Sequence, residues 1–255
     1  MNKEILIICR GGGDLATGIV HRLFRAGYQV LILETAEPAA IRRQVSFCEA
    51  VYEGTATVEG VTAERIYTAK KQAVEEVLQR GRIPLLVDPD GRSIEVLKPD
   101  VVVDAIIAKK NLGTYKEMAP LVIGIGPGFV AGEDVHLVVE SMRGHNLARI
   151  LENGSALANT GIPGNIGGYT KERVIHAAAE GYMKNLHQIG DVVRKGEKIA
   201  RIYEQMSPEG VFSGRFVSVE ATIPGVLRGL IREGYHFQKG FKIADIDPRE
   251  GELKN

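Results

Sequence analysis

The chain has two cysteines, no surplus of charge of either sign and no long apolar run. Each shortage closes a class of function. Thirty-two basic and 32 acidic residues give a formal net charge of zero. No basic stretch offers the electrostatic footprint that a nucleic acid needs, so no nucleic-acid partner is expected. Cys9 and Cys48 cannot build a disulfide framework or a zinc cluster, and Cys9, inside an apolar strand, reads as a small buried hydrophobe. Nothing approaches the ~18 apolar residues of a membrane span. The N-terminal apolar run, Ile5–Cys9, stops at Arg10 and is too short for a signal peptide, which leads to a cytoplasmic expectation. Gly-x-Ser-x-Gly, His-Glu-x-x-His and Gly-x4-Gly-Lys-Ser/Thr are also missing. No catalytic residue can therefore be named, and no metal site is expected.

Glycine, by contrast, is abundant: 30 of 255 residues, about 12% against a usual ~7%. Tight turns and backbone-lined sites should be frequent. The first half alternates apolar strands (Ile5–Cys9, Tyr28–Leu33, Ile83–Val87, Val101–Ile107, Leu121–Ile125, Val135–Val139) with helical patterns. One helix carries Ala16, Ile19, Val20, Leu23 and Phe24 on a single face and ends near Gly27; the next carries Val74, Val77 and Leu78. This alternation predicts an α/β fold, a Rossmann-like doubly wound parallel sheet over residues 1–165. Residues 35–68 have no clear pattern. Gly154–Gly168 reads as a linker, and the charged segment after Asp247 as a mobile tail.

Residues 173–247 repeat at an offset of 44. Gly181, Gly190, Lys195, Gly196, Lys198, Ile199, Ala200 and Ile202 match Gly225, Gly234, Lys239, Gly240, Lys242, Ile243, Ala244 and Ile246. Self-similarity of this kind means one supersecondary unit used twice. The repeat is similar to biotinyl/lipoyl carriers, which implies a small all-β barrel-sandwich hybrid domain over residues 170–250. No lysine lies between Lys198 and Lys239, so the carrier function is not expected.

Two polar regions could hold a ligand. Arg10-Gly11-Gly12-Gly13-Asp14-Leu15-Ala16-Thr17 joins the first strand to the first helix and fits G-x-G-x-x-A. Such glycines let the backbone approach a phosphate, and the helix N-terminus offers N–H groups to it. Glu34, about twenty residues on, stands where an acid would bind a ribose. Asp14 either caps the helix or repels a pyrophosphate. Alternatively the glycines serve only to make a tight turn. The second region begins at Gly126-Pro127-Gly128 and continues through Asp134, His136 and Glu140 to Arg143 and His145. On a strand, His136 and Glu140 would lie about 13 Å apart, too far to share a metal ion. Glu140, Arg143 and His145 just past that strand could recognise a phosphate-bearing compound, or form a plain surface turn. Asp104 and Lys109-Lys110 hold the corresponding place on a neighbouring strand.

In order, Arg10–Gly18, Ser46-Phe47 with Glu49–Tyr52, Gly126–Phe129 with Glu133–His136, Val138–Glu140, Arg143–His145 and Gly161–Gly164 resemble the selenium-dependent molybdenum hydroxylase accessory family. The first half is similar, more distantly, to xanthine dehydrogenase accessory factors. These resemblances imply maturation or support of a molybdenum hydroxylase as partner. They further imply a nucleotide or molybdopterin dinucleotide held by Gly11, Gly12, Gly13, Asp14, Ala16, Thr17, Glu34, Gly126, Gly128, Glu140, Arg143 and His145. Two rival readings stay open. One is an NAD(P)-dependent oxidoreductase with Glu140 or His145 as acid or base. The other is a structural assembly module with no ligand. A second copy of the chain stands beside the hydroxylase as a candidate partner.

Overall fold

Apolar runs as dense as Leu6-Ile7-Ile8-Cys9 are strands covered on both faces, and that constraint organises the first part of the chain. A computed structural model describes residues 4–249. The expected tail after Asp247 lies mostly outside them. Contacts divide the chain into two compact units: Met1–Pro38 with Val45–Thr160, and Ala39–Gln44 with Gly161–Asn255.

The first unit is built on β1 (Leu6–Arg10), β2 (Gln29–Glu34), β3 (Thr55–Val58), β4 (Val61–Ile66), β5 (Ile83–Val87), β6 (Val101–Asp104), β7 (Leu121–Ile125), β8 (Leu137–Val139) and β9 (Ile150–Leu151). Their order in one sheet is β3-β4-β5-β2-β1-β6-β7-β8-β9. From β4 to β8 neighbours run parallel, while β3 and β9 run antiparallel to theirs. Helix α1 (Asp14–Arg25) buries Ala16 and Val20 against Cys9, Ile32 and Phe47 on one face. α2 (Ala50–Glu53) belongs to the same face. α3 (Lys71–Gln79) and α4 (Ser93–Leu97) bring Val74, Val77 and Ile94 to a second core with Ile8, Leu31 and Val102.

The second unit has eight strands: β10 (Val174–His176), β11 (Gly181–Asn185), β12 (Val192–Val193), β13 (Lys198–Met206), β14 (Phe212–Glu220), β15 (Gly225–Leu230), β16 (His236–Phe237) and β17 (Lys242–Asp247). They form two four-stranded antiparallel sheets, β10-β17-β15-β12 and β14-β13-β11-β16. Shifting the first sheet by 44 residues generates the second, and each sheet takes strands from both halves of the repeat. The turns are exchanged in the same way. Gly196 N–H donates to Ala221 C=O and Gly240 N–H to Ala177 C=O, both at 2.8 Å; Gly190 bonds Leu227 and Gly234 bonds Met183. One shared core contains Met183, Ile199, Ile202, Leu227, Leu230 and Ile246. Because each half completes its turns with the other's carbonyls, neither can close alone.

The expected class is corrected on both counts. Strand outweighs helix, 35% to 17%, and the large sheet is mixed rather than a Rossmann-like doubly wound parallel sheet. The reason lies in the connections. Residues 105–120 and the Gly-rich 126–136 join β6 to β7 to β8 without an α-helix, and the 35–68 region contains the β3–β4 hairpin. Two four-stranded antiparallel sheets take the place of the expected barrel-sandwich domain. Strands β6 and β8 are also shorter than Val101–Ile107 and Val135–Val139.

Gly181 and Gly225 hold φ of +152° and +147°, a region open to glycine alone. At each, an added methyl would overlap a carbonyl oxygen, that of Tyr203 or Asp247. Gly225→Ala therefore destabilises by about 2–4 kcal/mol in urea unfolding. Gly210→Ala, where φ is +82° and the space is open, costs only about 1–2 kcal/mol.

Candidate functional site

Ligands of open sheets containing parallel strands gather outside the strand C-termini. In the first unit the adjacent ends of β2, β1, β6, β7 and β8 deliver Glu34, Arg10, Asp104, Gly126 and Glu140. Arg10 is 2% exposed and Asp104 1%, and they pair at 3.6 Å. The Thr114 hydroxyl joins them, accepting from Arg10 Nη1 and donating to Asp104 Oδ2 at 2.5 Å. Arg10 Nη2 donates to the carbonyls of Pro89 (3.0 Å) and Leu112 (3.2 Å). A buried guanidinium thus ties β1 to β6 and to two loops. A cation ending an apolar run was the available signal for this node; its partners, far apart in sequence, had none.

The glycine turn is arranged differently from a dinucleotide fingerprint. Gly11 N–H bonds Leu33 C=O at 2.8 Å, and Gly12 N–H bonds Glu34 Oε1 at 3.0 Å. Glu34 Oε2 accepts from the Thr35 N–H at 2.8 Å. The carboxylate expected to hold a ribose is therefore engaged by the turn itself. Burial pushes Glu34 above the ordinary glutamate range, against the lowering effect of the Gly12 and Thr35 hydrogen bonds. Cys48 N–H bonds Gly12 C=O at 2.8 Å, so residues 46–48 lie against Gly12 where a pyrophosphate would sit. The Thr17 hydroxyl donates to Gly12 C=O and accepts from Phe47 N–H. Thr17 and Ala16 are buried and shape the turn from within. Gly13 faces open space, and Asp14 Oδ1 accepts from Leu15 N–H at 3.0 Å.

The segment after β6 bends sharply beside this turn. Ile107 and Lys109 take left-handed φ of 58° and 63°, and for a β-branched residue that is an outlier. Two glycines admit the segment. A Cβ on Gly11 would lie 3.0 Å from Ala105 O, and one on Gly128 would lie 2.7 Å from Lys110 N. Residues 105–110 are thus held between the two glycine turns, with Lys109 and Lys110 exposed.

Glu140 is 4% exposed and serves its own loop, accepting from Met142 N–H (2.7 Å) and Leu157 N–H (2.8 Å). Arg143 and His145 project from that loop into solvent. A cavity of about 380 Å³ adjoins Glu140, Arg149 and Ser155. His136 Nδ1 accepts from Val122 N–H at 3.0 Å, and Asp134 Oδ2 from Val130 N–H at 2.9 Å. Among the described residues no group of three or more His, Cys, Asp or Glu is arranged to hold a metal. No helix of the described residues is long and apolar enough to cross a membrane. A larger cavity, about 730 Å³, runs beside α4. Its charges are of both signs, and Asp90 and Arg92 neutralise each other at 3.1 Å, so it offers less for a charged ligand than the carboxyl edge.

No family model matches the chain. It is 46% identical over 244 residues to Uncharacterized protein YqeB of Escherichia coli (strain K12), covering 96% of this chain and 42% of that relative. The chain thus spans less than half of that relative's length. Among solved structures it aligns with an aspartoacylase family protein from Mesorhizobium loti (TM-score 0.31, 9% identity, 97% of this chain and 87% of that one). It also aligns with a succinylglutamate desuccinylase from Silicibacter sp. (TM-score 0.28, 12% identity, 96% and 85%). A third match is the product-bound ectoine utilization protein EutE (DoeB) from Ruegeria pomeroyi (TM-score 0.28, 11% identity, 91% and 63%). Scores this low establish neither a shared fold nor shared chemistry. Nothing in these matches points to a molybdenum hydroxylase accessory family, so the expected membership of that family is corrected, and molybdenum, selenium and maturation are set aside with it. The NAD(P)-dependent oxidoreductase alternative loses the fingerprint geometry on which it rests, because Glu34 and Cys48 are bonded to the Gly12 turn.

Two stability tests follow from this geometry. Arg10→Met leaves Asp104 buried without its cation and costs about 3–5 kcal/mol in urea unfolding; an unchanged midpoint would remove the node from the account. Glu34 is raised above its unfolded value of ~4.3, so its ionised form weakens the fold. Wild-type stability therefore increases as pH is lowered from the raised pKa toward ~4.3, and Glu34→Gln flattens that dependence in thermal melts.

Proposed function

We propose that the first unit binds a phosphate-bearing small molecule of the nucleotide class at the carboxyl edge of β1, β6 and β7. The observation that carries this reading is the strained segment 105–110, whose Ile107 and Lys109 hold left-handed φ between the turns of Gly11 and Gly128. Strain of ~1–3 kcal/mol per residue persists where the surroundings over-determine it, and it concentrates at ligand sites. It carries the exposed Lys109 and Lys110 on the same carboxyl edge from which α1 starts at Gly13, and at such a helix start N–H groups and the helix dipole favour an anion. Gly12 and Glu34 build the turn rather than touch the ligand. Gly128 admits residue 110, Glu140 closes its own loop, and the exposed Arg143 and His145 lie beyond the end of β8. A cytoplasmic setting is part of this reading: Cys9 and Cys48 are buried free thiols whose pKa burial pushes up, and they suit a reducing compartment.

Thermal shift with a panel of nucleotides, together with mass spectrometry of co-purifying ligands, tests the reading. The mass spectra separate simple nucleotides from pterin dinucleotides. A nucleotide at a hundredfold excess over its Kd adds about 2.7 kcal/mol, seen as a rise in Tm. Lys109→Ala with Lys110→Ala loses that rise. Gly13→Val also loses it with the fold intact, because Gly13 has φ −67° and room for a side chain. No co-purifying nucleotide and no shift with any of the panel would end the proposal.

A further inference from the structure

The two sheets of the second unit are quasi-equivalent, but their outer faces are not treated alike. On β10-β17-β15-β12 the outer face is covered by this chain's own residues Ala39–Gln44. Leu230 N–H bonds Ile41 C=O at 2.8 Å, and Arg43 Nε donates to Leu230 C=O at 2.9 Å. The Ile41 side chain packs where a Cβ on Gly229 would meet it at 3.2 Å. Arg42 pairs with Asp245, which is 1% exposed. The covering element is thus an extended segment that offers an apolar side chain and a charge opposite to that of the sheet.

On the equivalent face the sign is exchanged at the position of Asp245, while Arg228 keeps its sign as Lys184. The counterpart of Asp245 at the 44-residue offset is Arg201, and that of Asp247 is Tyr203. Directly opposed residues of antiparallel strands share a face. The pairs His236–Tyr182, Tyr182–Tyr203 and Tyr203–Phe216 therefore set an aromatic row across all four strands. Ring centroids are 4.7 Å apart for Tyr182–His236, 5.2 Å for Tyr203–Phe216 and 5.4 Å for Tyr203–Phe212. Phe216 is 47% exposed. The Arg201 guanidinium stacks 4.6 Å above its ring and otherwise reaches only the Tyr203 hydroxyl at 3.5 Å. Among the described residues no carboxylate pairs with it, whereas Lys184 has Glu233 at 2.8 Å and Arg215 has Glu204 at 3.1 Å. The strand under this row also departs from the repeat: β14 has nine residues where its counterpart β10 has three.

We propose that the outer face of β14-β13-β11-β16 docks an extended acidic segment of a partner protein, one carboxylate pairing with Arg201 while apolar side chains lie on Tyr203 and Phe216. The covered face supplies the pattern, and the exchanged charge supplies the sign. Aromatic and Arg side chains on an open surface are also the residue types that anchor interfaces.

Selection of random peptides on phage against the full chain tests this. Enriched sequences carry Asp or Glu beside apolar residues, and by fluorescence anisotropy they bind Arg201→Glu and Phe216→Ser about tenfold more weakly or worse. Both variants stay folded, with at most a modest fall in Tm from the lost surface stacking, since neither side chain belongs to the core. No enrichment, enrichment of basic sequences, or equal binding to Arg201→Glu overturns the proposal. A wild-type dimer in sedimentation equilibrium that Arg201→Glu dissolves would assign the face to a second copy, and oligonucleotide binding lost in the same variant would assign it to nucleic acid. Either result overturns it as well.

Discussion

A guanidinium at the end of a buried strand has to find its partners inside the protein, and Arg10 finds them at the end of β6 and in the loops after β5 and β6. Its ion pair with Asp104, the Thr114 hydroxyl between them and the carbonyls of Pro89 and Leu112 leave the loops after β5 and β6 little freedom. The excursion from 105 to 114 starts and finishes on this node. Its left-handed residues and its approach to Gly11 and Gly128 are consequences of where the node lets it go. The candidate ligand edge is therefore a product of buried electrostatics, with the glycines admitting what Arg10 requires.

Much of the strand framework could be read from the chain because parallel, doubly covered strands write themselves as apolar runs. Five of the first unit's nine strands fall in such runs and within a residue or so of their observed bounds: β1, β2, β5, β7 and, at its start, β6. The β3–β4 hairpin could not be read, since Thr55-Ala56-Thr57-Val58 and Val61-Thr62-Ala63-Glu64-Arg65-Ile66 expose much of one face and carry few large apolar residues. The fold class went wrong for a related reason. Apolar runs announce strands but not what connects them, and the connections from β6 to β8 are helix-free. At the site, the residue types were visible and their duties were not. Glu34 stands where a ribose acid would stand, yet its oxygens complete the Gly12 turn. Glu140 sits at a strand end, yet it closes its own loop. Only spatial proximity tells a ligand contact from an internal bond.

The second unit shows how duplication can keep an architecture while releasing a surface. The turns at Gly190, Gly196, Gly234 and Gly240 each close on a carbonyl of the other half, and Gly181 and Gly225 each lie against a carbonyl of their own half, so both copies must keep all three glycines. The outer faces carry no such obligation. One carries carboxylates and a covering segment of the same chain; the other carries an aromatic row and an arginine that has no carboxylate beside it among the described residues. Core positions repeat with few changes, and the differences that matter lie where the repeat does not have to agree with itself.

The central claim is that the strained 105–110 segment, with the Gly13 end of α1, receives a phosphate. Backbone hydrogen exchange followed by mass spectrometry, with and without saturating nucleotide, reads those amides directly. Slowed exchange confined to residues 105–111 and 13–16, with the sheets of the second unit unchanged, is the predicted result. Unchanged exchange in both segments while nucleotide is bound, or protection appearing only around the cavity beside α4, would contradict it.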